Sequence, residues 1–500
     1  MRFLIVTILL VLFTSCKDQL ELIAPSELTA SGFWDSENGA RAAHTGLYGS
    51  LRSQNSTLWL LGEIRSDVWG GQTFESPSNI DLIESNINVS NVPFNGWGGL
   101  YSDIHRINDF LANVPNIEFA NPSDKDHMLG QAYGIRALYY YTLLKTWGAV
   151  PITTSPLGTT DPEGLSKARA PEEDVMALVK SDLETSLDYF GEDGSFWQGK
   201  RAYWSKAASL ILKGDVYIWS GNLLNGGNTD FQTAKTALQE LANLDVGLLN
   251  TYGDLWAISN ENNREFIFSF QYELDQATNF YTLMMGRTTE INPQFDSQGN
   301  SMADYVVNGS NRYGPSEKTL ILSDDEVDTR KRATFTRLYV DDNSGAGYPT
   351  YTPDKYFGSI IKKFEGSING SVRITDNDVP LYRYADALLL LAEAKNHLGE
   401  DPTQEIEAIR KRAYGDNYDE AEYGFENGSE SENTNAILQE RYKEFIAEGK
   451  RWWDLRRAGD SYVIENVEFL DSGDEYKLIL PISLDMIGRN PDLKQTPGYE

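Results

Sequence analysis

The chain has few of the residues that disulfide and metal chemistry require. Among 500 residues there is one cysteine, and there are four histidines. One cysteine cannot form an intramolecular disulfide, and it excludes zinc sites built from cysteine pairs. The histidines stand far apart and form no H-E-x-x-H motif, so we expect them at the surface or packed between helices. The sequence therefore predicts neither a bound metal nor a cofactor.

Basic residues are also scarce. Lysine and arginine number 43 against 74 acidic residues, which gives a formal net charge of −31. Nucleic acids and anionic membranes are bound through basic patches, so this charge argues against both as partners. It favours a soluble body and a neutral or cationic ligand. After residue 15, no stretch approaches the roughly 18 apolar residues of a membrane-spanning helix.

The N-terminus has the pattern of an export signal. Arg2 precedes an apolar run at residues 3–13, and two small residues stand before Cys16. A basic start, an apolar stretch of this length and small residues at its end predict a secretory signal over residues 1–15. Because the chain's one cysteine lies directly behind it, we predict a lipoprotein in which Cys16 is lipidated and residues 16–35 form a tether. The alternative is an ordinary secretory signal with an incidental cysteine.

Apolar residues recur at helical spacing through most of the remaining chain, which predicts a mainly α-helical protein. The predicted helices start near residue 36 and cover residues 100–111, 130–147, 171–190, 202–219, 231–243, 381–398, 402–413 and 433–457. Aromatic residues on one helix facing alanines on the next resemble tetratricopeptide units, although no clean 34-residue register is present. Gly46 and Gly49 in the first helix are expected to permit close contact between helices, and Trp97 is expected in the core.

Two long stretches, residues 62–96 and 250–380, lose the helical period. Phe266–Phe270 alternates like a short strand, but Asn, Gly, Ser and Tyr dominate elsewhere. Irregular segments longer than about 15 residues are usually functional. Aromatic rings stack on the C–H faces of sugars while polar groups bind the hydroxyls. On position and residue type we predict five ligand contacts: Asp67, Trp69, Tyr281, Arg312 and Tyr313. The alternative is that the tyrosines pack these loops on themselves.

The segment QERYKEFIAEGKRWWDLRR, residues 439–457, reads as one helix with a wide apolar arc, wedged between neighbouring helices. Two pairs of opposite charge are spaced to meet along it: Lys450 with Asp454, and Glu448 with Arg451.

A catalytic interpretation of the same segment takes a carboxylate pair for glycoside hydrolysis from Glu444, Glu448 and Asp454. That reaction needs one carboxyl group with a raised pKa beside an open cleft. The many arginine and lysine side chains nearby would instead lower these pKa values. No Ser, Cys or His constellation suggests another hydrolytic mechanism, so we do not expect an enzyme.

Residues 439–457 also resemble the C-terminal pattern of the SusD/RagB family, roughly E-R-x-x-E-x-x-x-E-G-x-R-W-x-D-L-x-R. Ten positions stand in register: Glu440, Arg441, Glu444, Glu448, Gly449, Arg451, Trp452, Asp454, Leu455 and Arg456. Residues 381–394 (LYRYADALLLLAEA) resemble a second element of that family. The tail, residues 480–499, resembles its closing L-P-I-P pattern, with departures at Ser483, Met486 and Thr496.

The resemblance implies an outer-membrane nutrient-binding lipoprotein of the Bacteroidota, anchored by its N-terminal lipid and facing the cell exterior. It implies an oligosaccharide ligand and, as partner, a SusC-like TonB-dependent transporter whose mouth the protein covers as a lid. A peptide- or protein-capturing scaffold of the same architecture is the alternative, and a glycoside hydrolase is less favoured.

The expected fold is a tetratricopeptide-like helical scaffold with a large loop-rich insert and minor β-structure. We expect a signal peptide over 1–15, a tether over 16–35, helical regions over 36–249 and 381–500, and the insert over 250–380, with 248–500 forming one family unit.

Overall fold

The computed structural model describes residues 30–71, 79–92, 96–158, 165–310, 312–340 and 347–499. The expected signal peptide, Cys16 and most of the tether lie outside these residues. Within the described residues, no helix combines the length and the apolar character needed to cross a bilayer.

The N-terminal half is helical. Its helices are α1 Ala30–Phe33, α2 Glu37–Ser53, α3 Asn55–Glu63, α4 Ile80–Ile83, α5 Gly98–Asn113, α6 Pro122–Trp147, α7 Glu172–Phe190, α8 Lys206–Leu223 and α9 Gly227–Glu240. Ser36 begins α2 as predicted, because its side chain accepts the N–H of Gly39. From α6 to α9, each helix packs against the next along the chain. This arrangement agrees with the predicted tetratricopeptide-like scaffold.

The C-terminal half begins with short helices and ends with longer ones. They are α10 Thr288–Ile291, α11 Glu317–Leu322, α12 Arg330–Thr334, α13 Tyr384–His397, α14 Thr403–Tyr414, α15 Glu420–Tyr423, α16 Glu430–Phe445, α17 Arg451–Ala458, α18 Asp460–Asn466 and α19 Leu484–Arg489. One apolar core contains side chains from both halves, including Trp204 and Trp452. A smaller cluster fills the space between α13, α14 and α16.

Short antiparallel strands join the two irregular stretches to the scaffold. They are β1 Trp69–Gly71, β2 Phe266–Phe270, β3 Phe295–Asp296, β4 Gly314–Pro315, β5 Phe335–Tyr339, β6 Tyr356–Ile361, β7 Ser367–Asn369, β8 Val372–Ile374 and β9 Val379–Arg383. The pairs are β1 with β4, β2 with β9, β7 with β8, and β5 with both β3 and β6. The predicted strand at Phe266–Phe270 is confirmed. Because β1 pairs with β4, the first irregular stretch is hydrogen-bonded to the second.

The prediction of one helix over residues 439–457 is wrong. Helix α16 ends at Phe445 and α17 begins at Arg451. In the intervening turn, residues 446–450, Ala447 has φ 69° and Gly449 has φ 75°. Left-handed backbone of this kind ends a right-handed helix, and Gly449 is the local sequence signal for it.

The close contacts expected at Gly46 and Gly49 are also absent. A Cβ atom added at either position would meet nothing within 4 Å. Close approach occurs instead at Gly62 in α3, where an added Cβ would overlap the carbonyl oxygen of Gly449. It occurs again at Gly134, where a Cβ would overlap the indole nitrogen of Trp204. Period alone did not distinguish a glycine packed against a neighbour from one facing open space.

We therefore expect Gly62→Ala to destabilise the protein, because the added methyl group forces α3 away from the 446–450 turn. Overpacking of this kind costs roughly 1–3 kcal/mol. Gly46→Ala is the matched control, since it changes the same atoms in an uncrowded helix and gains roughly 0.5–1 kcal/mol of helix propensity. Thermal unfolding followed by circular dichroism should give a lower melting temperature for the first variant only. A Gly62→Ala protein that melts at or above the wild-type temperature would contradict the packing described.

Candidate functional site

Glu444, a member of the hypothetical carboxylate pair, is completely buried among arginines. Its carboxylate lies 2.5 Å from a guanidinium nitrogen of Arg412, 3.0 Å from one of Arg383 and 3.3 Å from one of Arg330. Burial acts to raise the pKa of Glu444, but the three positive charges outweigh it and hold this pKa at about 2. The lowered pKa confirms the direction that we expected from the basic neighbours. Glu444 has the environment of a structural ion pair and lacks the open cleft that glycoside hydrolysis needs.

The local ion pairs predicted along residues 439–457 are replaced by longer-range pairs. All four side chains reach a partner on another element, at N–O distances of 2.7–2.8 Å: Lys450 with Asp386, Asp454 with Arg441, Glu448 with Lys363, and Arg451 with Asp67. The predicted partners are therefore wrong, and the observed pairs join residues 448–454 to distant parts of the chain. The 446–450 turn ends the helix that the local spacing assumed.

The 446–450 turn is held by a carboxylate from the opposite half of the chain. Completely buried Glu63, the last residue of α3, accepts the N–H of Ala447 at 2.8 Å and that of Lys450 at 3.0 Å. Trp59 donates its indole N–H to the carbonyl oxygen of Ala447 at 3.1 Å. Burial raises the pKa of Glu63 to about 7, although these hydrogen bonds oppose the shift. Three main-chain groups of the turn, the N–H groups of Ala447 and Lys450 and the carbonyl oxygen of Ala447, thus bind side chains that lie 384–388 positions away.

Asp67, one of the predicted ligand contacts, is occupied by two cations. Arg451 lies 2.8 Å and Lys318 2.6 Å from its carboxylate. Burial opposes ionisation of Asp67, but these charges outweigh it and lower its pKa below the ordinary value. The carboxylate therefore joins α17 and α11 to the segment that follows α3.

The predicted aromatic contacts lie inside the protein. Trp69, Tyr281 and Tyr313 are 3%, 0% and 2% exposed. Trp69 and Tyr313 come together, with ring centroids 6.3 Å apart, and the hydroxyl of Tyr281 donates to the Ala447 carbonyl oxygen. Arg312 stands apart with an exposed side chain. All three rings belong to the apolar core, the arrangement that the alternative describes for the tyrosines, and their role as ligand contacts stays a prediction.

Asp67 and Trp69 nevertheless border an open groove of about 530 Å³, which we call the Phe469 groove. Its outer wall carries two exposed apolar side chains, Ile321 and Phe469.

A second cavity, which we call the Trp97 cleft, has a composition closer to a saccharide site. It encloses about 370 Å³ between the start of α5 and residues 151–158 and 165–167. Its lining includes aromatic, hydroxyl, amide and ammonium groups: Trp97, Tyr101, His105, Thr153, Ser155, Lys167 and Asn490. Half-buried Trp97 lies edge-to-face with Tyr101 at 5.7 Å and with Trp147 at 5.6 Å. The buried Nδ1 atom of His105 has no hydrogen-bond partner within the described part of the chain.

Buried polar contacts fix the wall of the Trp97 cleft. The amide of Asn108 donates to the carbonyl oxygen of Thr153 at 2.9 Å, and the hydroxyl of Tyr140 donates to the same oxygen at 2.7 Å. Asn108 in turn accepts from Arg136 at 2.9 Å, and Arg136 makes a two-pronged contact with Asp182 at 2.7 and 2.8 Å. The chain after α6 is thereby bonded to helices α5, α6 and α7. These bonds hold the wall of the cleft at Thr153 in place.

Sequence reasoning missed the Trp97 cleft because it assigned Trp97 to the core. The ring does pack on the core, but it is only half-buried and also lines the cavity. Trp97, Tyr101 and His105 are spaced by four residues, which places them on one face at the start of a helix. That spacing was the available signal.

Comparison with known proteins identifies related chains. A model of the SusD family matches residues 264–499, and a model described as "Starch-binding associating with outer membrane" matches residues 35–209. A SusD-like protein of Formosa agariphila is 26% identical, over 99% of this chain and 98% of its own.

Solved structures show the same similarity. B. fragilis NanU superposes with a TM-score of 0.86 and 34% identity, covering 96% of this chain and all of that one. A SusD superfamily protein from Bacteroides vulgatus has a TM-score of 0.84 and 34% identity, covering 93% of this chain and all of its own. A laminarin-binding SusD-like protein, at 21% identity and a TM-score of 0.71, shares the fold over 93% of this chain and all of its own.

The raised pKa of Glu63 predicts a specific pH dependence of stability. Between its ordinary pKa of 4.5 and about 7, the folded chain keeps a proton that the unfolded chain has lost. The contribution of Glu63 to the free energy of unfolding therefore falls as the pH rises through this window and is level above it. Between pH 5 and 8, the melting temperature of Glu63→Gln should fall less than that of the wild type.

Exposed Glu84 supplies the control, because Glu84→Gln removes one carboxyl group without touching the 446–450 turn. A plot of its melting temperature against pH should run parallel to that of the wild type. A parallel plot for Glu63→Gln as well would disprove the link between Glu63 and the pH dependence of stability.

Proposed function

The chain belongs to the SusD family, and from this premise we propose that it is a cell-surface glycan-binding lipoprotein that captures oligosaccharides. The observation that carries the proposal is the Trp97 cleft, which combines aromatic rings with hydroxyl, amide and ammonium groups in a preformed cavity. The family-model description "Starch-binding associating with outer membrane" and the laminarin-binding structural neighbour support a glycan as the ligand class.

The binding mode follows from the lining of the cleft. Trp97 and Tyr101 supply ring surface for the C–H faces of a sugar. Ser155, Lys167 and Asn490 supply donors and acceptors for its hydroxyl groups. The volume of about 370 Å³ lies within the usual range of small-molecule sites. Because the Asn108 and Tyr140 contacts already fix the wall at Thr153, ordering this wall on binding costs little free energy.

We propose binding without cleavage. Glycoside hydrolysis uses two carboxyl groups on either side of the scissile bond. No Asp or Glu lines the cleft in the part of the chain that the structure describes. Glu444, in contrast, is enclosed by arginines and has a pKa of about 2. The chemistry required of the cleft is retention and release of a glycan.

Attachment and delivery complete the proposal. A lipid on Cys16 would hold the protein on the outer face of the outer membrane, and residues 16–35 would give it reach. The partner would be a SusC-like TonB-dependent transporter, with this protein over its mouth as a lid. The sequence pattern before Cys16 and the family membership support this arrangement.

Trp97→Ala should weaken glycan binding at least about tenfold, or 1.4 kcal/mol, because it removes a stacking surface. Isothermal titration of the chain from Lys17 onward, against a panel that includes laminari- and malto-oligosaccharides, measures this change. Phe469→Ala is the matched control, since it removes a half-exposed ring from the Phe469 groove. Trp69→Ala is unsuitable, because truncating so deeply buried a ring costs roughly 3–5 kcal/mol of stability.

The same titrations separate the alternatives. If Phe469→Ala abolishes binding and Trp97→Ala does not, the site belongs in the Phe469 groove. Release of shorter sugars would refute the non-enzymatic proposal. Saturation by peptides alone would favour the peptide-capturing scaffold.

Lipidation is tested separately in cells. Cys16→Ser should abolish incorporation of labelled fatty acid and move the protein from the membrane fraction to the soluble fraction. Ser15→Ala keeps a small residue before the cysteine and should leave both properties unchanged. Membrane attachment that survives Cys16→Ser would favour the alternative of an incidental cysteine.

A further inference from the structure

Two of the three glycines of α2, Gly46 and Gly49, have no steric reason to be glycine. Neither Gly46 nor Gly49 has a positive φ, and a Cβ atom at either would meet nothing within 4 Å. A glycine inside a helix costs roughly 0.5–1 kcal/mol relative to alanine. At Gly49 the absent side chain has a visible consequence, because this residue lines an open groove. Nothing in the structure explains Gly46, which lies outside the lining.

This groove, which we call the Gly49 groove, encloses about 270 Å³ between α2 and β2. Its walls include Gly49 and Arg52 of α2, the half-exposed ring of Tyr203, Ser269 of β2 and the glutamines that follow, Gln271 and Gln276. It shares no lining residue with the Trp97 cleft.

The hydroxyl of Ser269 supplies independent evidence for a ligand. Ser269 borders the groove, is 0% exposed, and its Oγ atom has no hydrogen-bond partner among the described residues. An unsatisfied buried hydroxyl costs roughly 1–3 kcal/mol. Phe268 and Phe270 on either side pack into the core, so the strand holds Ser269 firmly in place. The strand thus leaves one buried hydroxyl beside the groove without a partner among the described residues.

The remaining lining determines the class of ligand. Arg52 donates one guanidinium N–H to the carbonyl oxygen of Gln271, at 3.2 Å, and has no carboxylate partner among the described residues. Together with the amides of Gln271 and Gln276, it offers several donors and acceptors beside the ring of Tyr203. The Gln276 amide donates one N–H to Glu273, so part of this polar lining is already engaged. A ring surface bordered by further donors and acceptors suits a saccharide, which presents both C–H faces and hydroxyl groups.

We propose that the Gly49 groove is a second saccharide-binding site and that Gly49 keeps it open. This inference rests on the proposed function, because the ligand belongs to the same class. Two sites on one rigid scaffold allow a long glycan to be held twice, and the second contact then forms at a high effective concentration.

The test compares four proteins by isothermal titration with the oligosaccharides of the panel: wild type, Gly49→Leu, Gly46→Leu and Trp97→Ala. We expect two sites in the wild type, and loss of one of them in Gly49→Leu through at least a tenfold weakening. Gly46→Leu adds the same side chain to the same helix outside the groove and should keep both. Trp97→Ala should keep the site in the Gly49 groove. Because both leucines improve helix propensity, melting temperatures no lower than that of the wild type will show that the variants fold.

The outcomes separate this inference from the proposed function. A single site that Trp97→Ala abolishes and Gly49→Leu leaves unchanged would overturn the second site while supporting the first. Equal weakening by Gly46→Leu and Gly49→Leu would also overturn it, because only Gly49 lines the groove. A wild type that binds no saccharide would refute both proposals, as would binding restricted to peptides.

Discussion

The satisfaction of buried polar groups in the 446–450 turn is the constraint on which the arrangement of the two halves depends. A helix break in the interior exposes amides and carbonyls that must find partners, since each unpaired group costs free energy. Glu63 and Trp59 of α3 supply those partners, and Gly62 lets α3 approach closely enough to do so. Buried ion pairs around the turn then join it to other elements. Removing one member of such a pair typically costs 3–5 kcal/mol, whereas the intact pair contributes little net stability. These ion pairs therefore specify one arrangement of the two halves and add little to the free energy of unfolding.

Buried polar contacts also fix the backbone of the Trp97 cleft. Arg136, paired with Asp182, positions the amide of Asn108, and that amide holds the chain at Thr153. The buried ion pair of Arg136 with Asp182 fixes the backbone behind the cavity, while side chains such as Trp97 and the exposed Lys167 line it.

Helices could be predicted from the sequence because their period is local. The helix start near residue 36 and the strand at Phe266–Phe270 could be predicted for the same reason. Residues 439–457 were predicted as one continuous helix because Gly449 is the only local signal of the break. Glu63, whose carboxylate accepts the N–H groups of the turn, lies in another part of the chain. Trp69 and Tyr281 were expected at a ligand because aromatic residues in irregular segments serve both binding and packing. Composition does not tell these uses apart, whereas the spacing of Trp97, Tyr101 and His105 along one helix face carried the missing information.

The separation between Glu63 and its amide partners has a consequence for biosynthesis. The hydrogen bonds from Ala447 and Lys450 span 384 and 387 residues. Until position 450 has been synthesised, the carboxylate of Glu63 cannot accept both of its hydrogen bonds from the turn. Gly62 of α3 likewise lacks the main-chain surface against which it packs. Contacts of such long range form late and slowly. The packing of α3 against the 446–450 turn is therefore completed only after about nine-tenths of the 500 residues have been synthesised.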